Sequence, residues 1–115
     1  MMTTAMKTAE DKQINFSEIN RAFREVADCN GWRAYHTPKN IASAISVEAN
    51  ELLAEFQWLT AEESAQLTQE QHQRVSNEIA DVLMYLSELC EQLRISPAEA
   101  VANKIRFNRT RFVKS

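Results

Sequence analysis

VEANELLAEFQWL, residues 47–59, has the period of a helix built for burial, yet it carries Glu48, Glu51 and Glu55 among its Val, Leu, Phe and Trp. With 100° per residue and Ile41 at the origin, Ile45, Leu52 and Phe56 fall at about 40°, 20° and 60°, an apolar stripe of ordinary width. Glu48 falls at about 340°, inside that stripe, and Glu51 at about 280°, on its shoulder. RVSNEIADVLMYLSELCEQL, residues 74–93, repeats the pattern. With Val75 at the origin, Ile79, Val82, Leu86 and Leu93 cluster within about 40°, while Glu78 at about 300°, Asp81 at about 240° and Tyr85 at about 280° share one edge.

The rest of the chain agrees with helix. One Gly and two Pro in 115 residues leave few turn signals, so an all-α protein is expected. That length suits one domain with a single core, and it is short enough that self-association would add useful burial. The opening residues 1–13 are polar and without a sustained apolar face, and read as a mobile tail before one helical domain at 14–115. A net charge of −3 and the lack of a long apolar run point to neither a polyanion nor a bilayer as partner. Cys29 and Cys90 are isolated thiols without metal-site spacing or a leader-like apolar segment, which fits a reducing cytoplasm.

Four long helical segments follow from the punctuation. The first begins near Asn15 or Ser17 as cap, buries Ile19, Phe23, Val26 and Ala27, and ends at Gly31. Thr37 and Pro38 open the second, which is expected to run to about Leu59. A polar connector from Thr60 with one short helical turn leads to a third, from about Gln69 to Leu93. Ser96, Pro97 and Glu99 form the cap, first-turn proline and capping-box partner of a fourth, which continues toward Phe112.

Each of the two central helices therefore offers two acids at i and i+3, beside a face that must pack. Partly buried, four such carboxylates repel one another and resist ionisation. Neither helix places a basic residue between its acids, and a hard divalent cation such as Mg²⁺ or Mn²⁺ would neutralise the group through oxygen ligands. One acid pair alone is more often a solvated helix edge than a ligand set; two pairs on adjoining apolar shoulders bring the two readings level. A di-iron bundle is a poor fit, because neither His36 nor His72 has a Glu three residues before it.

EANE at 48–51 and EIAD at 78–81, with NIASAISVEANELLAEFQW around the first, resemble the ExxE…ExxD signature of the all-α nucleoside triphosphate pyrophosphohydrolases of the MazG-type superfamily. The similarity is to the short, single-domain dCTP-pyrophosphatase-like branch, and it extends from GWRAYHTPKN to NKIRFNRTRF. It implies a four-helix core completed by oligomerisation, as a dimer or a tetramer of dimers. It also implies cleavage of a nucleoside triphosphate, a dNTP by preference, to monophosphate and pyrophosphate. Glu48, Glu51, Glu78 and Asp81 match the Mg²⁺ ligands, and either Glu48 or Glu51 is the candidate base.

The basic residues of the fourth helix fit that reading. After Glu99 the chain has no acid, while Lys104, Arg106, Arg109, Arg111 and Lys114 accumulate. Lys104, Asn108 and Arg111 share one edge, at about 300°, 340° and 280° from Val101, and can bind phosphate oxygens. Lys104 and Asn108 match positions that contact the triphosphate or sugar in the resemblance. Trp32 and Trp58 match its base-stacking aromatics, Tyr85 lies on the edge of the metal acids, and His36 reads either as substrate contact or as a hydrogen-bonded connector histidine. Phe23 stands where relatives can carry His, so no base preference is carried over. The rival from another class is a non-catalytic helical module docking partners through its acids and basic tail. Stable nucleic-acid binding through that tail is disfavoured by the acidic overall balance.

Overall fold

The structure, a computed structural model, describes residues 13–113; the N-terminal tail expected at 1–13 lies outside them but for Gln13, and Lys114 lies outside them too. Among the described residues the protein is all-helical. The helices are α1 (Phe16–Cys29), α2 (Pro38–Ala54), α3 (Ala61–Ser64), α4 (Gln69–Leu93) and α5 (Pro97–Phe112), with a 3₁₀ turn at Arg33–Tyr35.

The caps form where their chemistry directs. Asn15 Oδ1 accepts from the Glu18 N–H at the start of α1, and Thr37 Oγ1 accepts from Asn40 N–H ahead of Pro38. Thr60 with Glu63 and Thr68 with Gln71 make full capping boxes on α3 and α4. At α5 half of the expected box forms among the described hydrogen bonds: Ser96 Oγ accepts from Glu99 N–H. α1 closes in a Schellman motif, with Trp32 N–H on Ala27 O at 2.8 Å and Gly31 N–H on Asp28 O at 3.2 Å. Gly31 takes the left-handed position at φ +68°, which a side chain would resist. α4 ends in the same way with Arg94 at φ 55°, Ile95 N–H bonding Cys90 O at 2.9 Å.

One boundary differs from the sequence expectation. α2 stops at Ala54, not near Leu59, and residues 55–58 tighten into turns. There Glu55 and Phe56 donate to the carbonyls three residues back, Leu52 and Leu53, at 3.2 and 2.9 Å. No Gly or Pro marks this end; Thr60 caps α3 shortly beyond it, and Arg74 of α4 bonds Glu55 at 2.9 Å.

α4 packs most extensively on α2 and next on α1, so these three helices make the body. Ile41 and Ala27 are enclosed and Ile19 nearly so, but Val26, Ile79 and Leu93, expected inside, are about half exposed. α5 packs extensively on none of the others, and every residue from Ala98 to Phe112 is exposed. The fourth long helix therefore stands clear of the body in a single chain. Among the described residues no helix is long and apolar enough to cross a membrane.

Candidate active site

The α2–α4 contact brings the acids together across the groove between two helices. Glu48 of α2 and Glu78 and Asp81 of α4 each present a carboxylate oxygen, all within 4.8 Å of one another, and all three residues are half-buried. Glu78 Oε2 is buried without a hydrogen-bond partner. The Glu48 carboxyl is pushed up to about 7, first by the hydrogen bond it shares with Glu78, then by burial, then by the charges of Asp81, Glu78 and Glu51. Three carboxylates this close cannot all ionise without a counter-charge. Among the described ion pairs none supplies one. An all-oxygen donor set with an orphaned buried oxygen fits a hard divalent cation.

Glu51, the fourth acid, is exposed and stands outside this group, although its charge reaches Glu48. At i+3 from Glu48 it turns about 60° further round α2, toward solvent.

An aromatic group adjoins the acids. Phe23 of α1 stacks on His36 with centroids 5.5 Å apart and meets Tyr85 of α4 edge-on at 5.4 Å. Burial, and then the charges of Glu48 and Asp81, raise the Tyr85 hydroxyl above its ordinary value, so this ring borders the acidic group. His36 Nδ1 is buried without a hydrogen-bond partner. The sequence marks Phe23 as an apolar residue of the first helix and as the occupant of a position where relatives can carry His; its contacts with both His36 and Tyr85 are not readable from it. Trp32 begins the connector before His36 and is 48% exposed, and Trp58, in the turns after α2, is 86% exposed. Neither indole belongs to the core.

Lys104, Asn108 and Arg111 lie on exposed α5. Lys104 Nζ sits 4.8 Å over the Phe107 ring and the Arg111 guanidinium 5.1 Å over Phe112. Within one chain the described contacts do not bring them to the acids.

Sequence reasoning missed a buried ionic group one turn beyond Tyr85. Glu88, fully enclosed, accepts from Arg24 Nε at 2.7 Å, Arg24 Nη2 at 3.1 Å, Asn20 Nδ2 at 2.8 Å and Gln92 Nε2 at 2.6 Å. Burial pushes its carboxyl up, but the hydrogen bonds from Arg24, Gln92 and Asn20 outweigh that and hold it down at about 2. A signal existed: from Val75, Glu88 and Gln92 fall at about 220° and 260°, continuing the sector of Asp81, Tyr85 and Glu78.

Comparison with known proteins agrees with this geometry. A model of the MazG-like family matches residues 43–113, more than half of the chain and inclusive of all four acids. The chain is 33% identical over 113 residues to dCTP pyrophosphatase 1 of Homo sapiens, covering 91% of this chain and 66% of that protein. To dCTP pyrophosphatase 1 of Bos taurus it is 32% identical over 97 residues, covering 83% and 57% respectively. It thus spans between 57% and 66% of the length of these curated relatives. The crystal structure of a pyrophosphatase from Archaeoglobus fulgidus superposes with a TM-score of 0.79 at 39% identity, covering 93% of this chain and all of that one. An acid group shared by two helices, an all-α body of matching shape and a family match across both acid pairs converge: the chain belongs to the MazG-like family.

Proposed function

We propose that this protein hydrolyses nucleoside triphosphates, deoxynucleotides by preference, at the α–β linkage to give the monophosphate and pyrophosphate. The observation that carries the reading is the convergence of Glu48, Glu78 and Asp81 oxygens within 4.8 Å, beside an aromatic wall. A triphosphate and a base need those two surfaces side by side. The pyrophosphatases among the similar proteins support the same chemistry.

Glu48, Glu78 and Asp81 would hold Mg²⁺, or Mn²⁺ in its place, with Glu51 joining from the next turn of α2. When bound, such an ion neutralises charge on the phosphate oxygens and acidifies water. Glu48 or Glu51 takes the proton from the attacking water.

The nucleoside lies against the group of Phe23, His36 and Tyr85, and Trp32 and Trp58 close over the base by stacking. The edge of Lys104, Asn108 and Arg111 binds the phosphate chain. Because α5 stands clear of its own body, the site is completed in a homo-oligomer, a dimer or a tetramer of dimers. Two free thiols fit a reducing cytoplasm. The task there is cleaning or balancing the nucleotide pool.

The test is a panel of common and damaged ribo- and deoxyribonucleoside triphosphates with Mg²⁺, followed by pyrophosphate release. Turnover of at least one deoxynucleotide, abolished by EDTA and restored by Mg²⁺ or Mn²⁺, is expected. No pyrophosphate from any member, or turnover indifferent to EDTA, overturns the reading.

A further inference from the structure

The connector that carries Trp32 and His36 has few anchors. Its start is held by Trp32 N–H on Ala27 O, its middle by Asn40 Nδ2 on Tyr35 O at 2.7 Å, and its end by Gln92 Nε2 on His36 O at 2.6 Å. Among the described hydrogen bonds only the last ties it to α4, the helix that bears Glu78, Asp81 and Tyr85. Gln92 divides its two amide hydrogens between that carbonyl and Glu88 Oε2, also at 2.6 Å.

Glu88 is itself immobilised by Arg24 and Asn20 of α1, so Gln92 is oriented from behind by a carboxylate with three other donors on it. A buried ion pair adds little net stability over an apolar replacement of the same shape. Its distinctive product here is geometric, a fixed acceptor that aims one amide hydrogen at the backbone of His36. The same backbone carries the imidazole stacked on Phe23.

We infer that Gln92 is a positioning residue for the nucleoside half of the site: it fixes the His36 connector relative to α4, and so sets the aromatic wall against the phosphate-binding acids. This rests on the proposed triphosphate hydrolysis. The acids receive nothing from Gln92 directly, so its loss weakens nucleoside binding while leaving phosphate-chain binding alone.

The test uses the full chain and the triphosphate it hydrolyses best. Gln92→Met keeps the shape and removes both donors, and Gln92→Asn is the second variant, too short to reach both acceptors. Gln92→Met is expected to raise KM about tenfold with kcat within about twofold, the nucleoside contact being weakened through the displaced His36 connector. Gln92→Asn should raise KM by less. The inhibition constant of inorganic tripolyphosphate, which has no nucleoside, should stay unchanged in both. An unchanged KM in whichever variants fold, or an equal weakening of tripolyphosphate, overturns the inference and leaves hydrolysis standing. A wild-type chain that releases no pyrophosphate overturns the functional reading, and this inference with it.

Discussion

At the scale of single residues, two glutamates show how position sets charge. Glu48 faces other carboxylates and is pushed up to about 7; Glu88 faces Arg24, Gln92 and Asn20 and is held at about 2. Their linkages to stability have opposite signs. The folded Glu48 binds its proton more tightly than the unfolded chain does, so the ion-free protein loses stability as pH rises from the ordinary carboxylate range to about 7. Thermal melts in EDTA should therefore fall from pH 5 to pH 8. Glu48→Gln should flatten that fall, and Mg²⁺ should raise the melting temperature more at pH 8 than at pH 5. A melt that rises across this window would show that the acids do not repel. Glu88 contributes stability above the ordinary carboxylate range, lost as pH falls through about 2. Glu88→Ala leaves Arg24 without its partner, and urea unfolding at pH 7 should show a loss of about 3–5 kcal/mol, as for other broken buried pairs. A cost below 1 kcal/mol would mean that water replaces the carboxylate. That Glu48, Glu78 and Asp81 meet was legible in the sequence, because helical spacing sets them on the packing edges of two helices with Tyr85 one turn on; that Glu51 stands outside their group was not. Glu88 with Arg24 was not, since the partners are 64 residues apart and no local pattern joins them.

At the scale of elements, the starts were more legible than the ends. Asn15, Thr37, Thr60, Thr68 and Ser96 all accept from the N–H three residues on, because a short polar side chain before a helical run has one strong local use. The end at Gly31 was equally plain, since a left-handed cap favours the residue without Cβ. The end of α2 was not, because no breaker marks the turns at 55–58 in the sequence, and the contact made there, Arg74 on Glu55, comes from another helix. Arg94 is the counterpart to Gly31: the same closure is made with a side chain at φ 55°. Arg94→Gly should therefore stabilise the protein by about 1 kcal/mol, read as a higher urea midpoint at unchanged slope. A lower midpoint would show that the Arg94 side chain contributes more than its backbone costs.

At the scale of the whole molecule, the body is α1, α2 and α4, and α5 is left with Val101, Ile105 and Phe112 along one exposed edge, at about 0°, 40° and 20°. An all-α class was legible from composition and periodicity, but a sequence pattern does not reveal whether an amphipathic helix covers its own chain or another. Coverage by a second copy is the expectation, and Ile105→Asp should convert an oligomer seen by light scattering at micromolar concentration into a smaller species. A wild-type chain that is sharply monomeric would contradict it. The central claim is that acids from α2 and α4 share one divalent ion that grips a triphosphate, and Asp81→Asn tests it most directly, since it removes one charge without changing shape. Pyrophosphate release with saturating Mg²⁺, compared between wild type and Asp81→Asn at equal helicity, should fall at least about a hundredfold. Near-normal release by the variant would contradict the account.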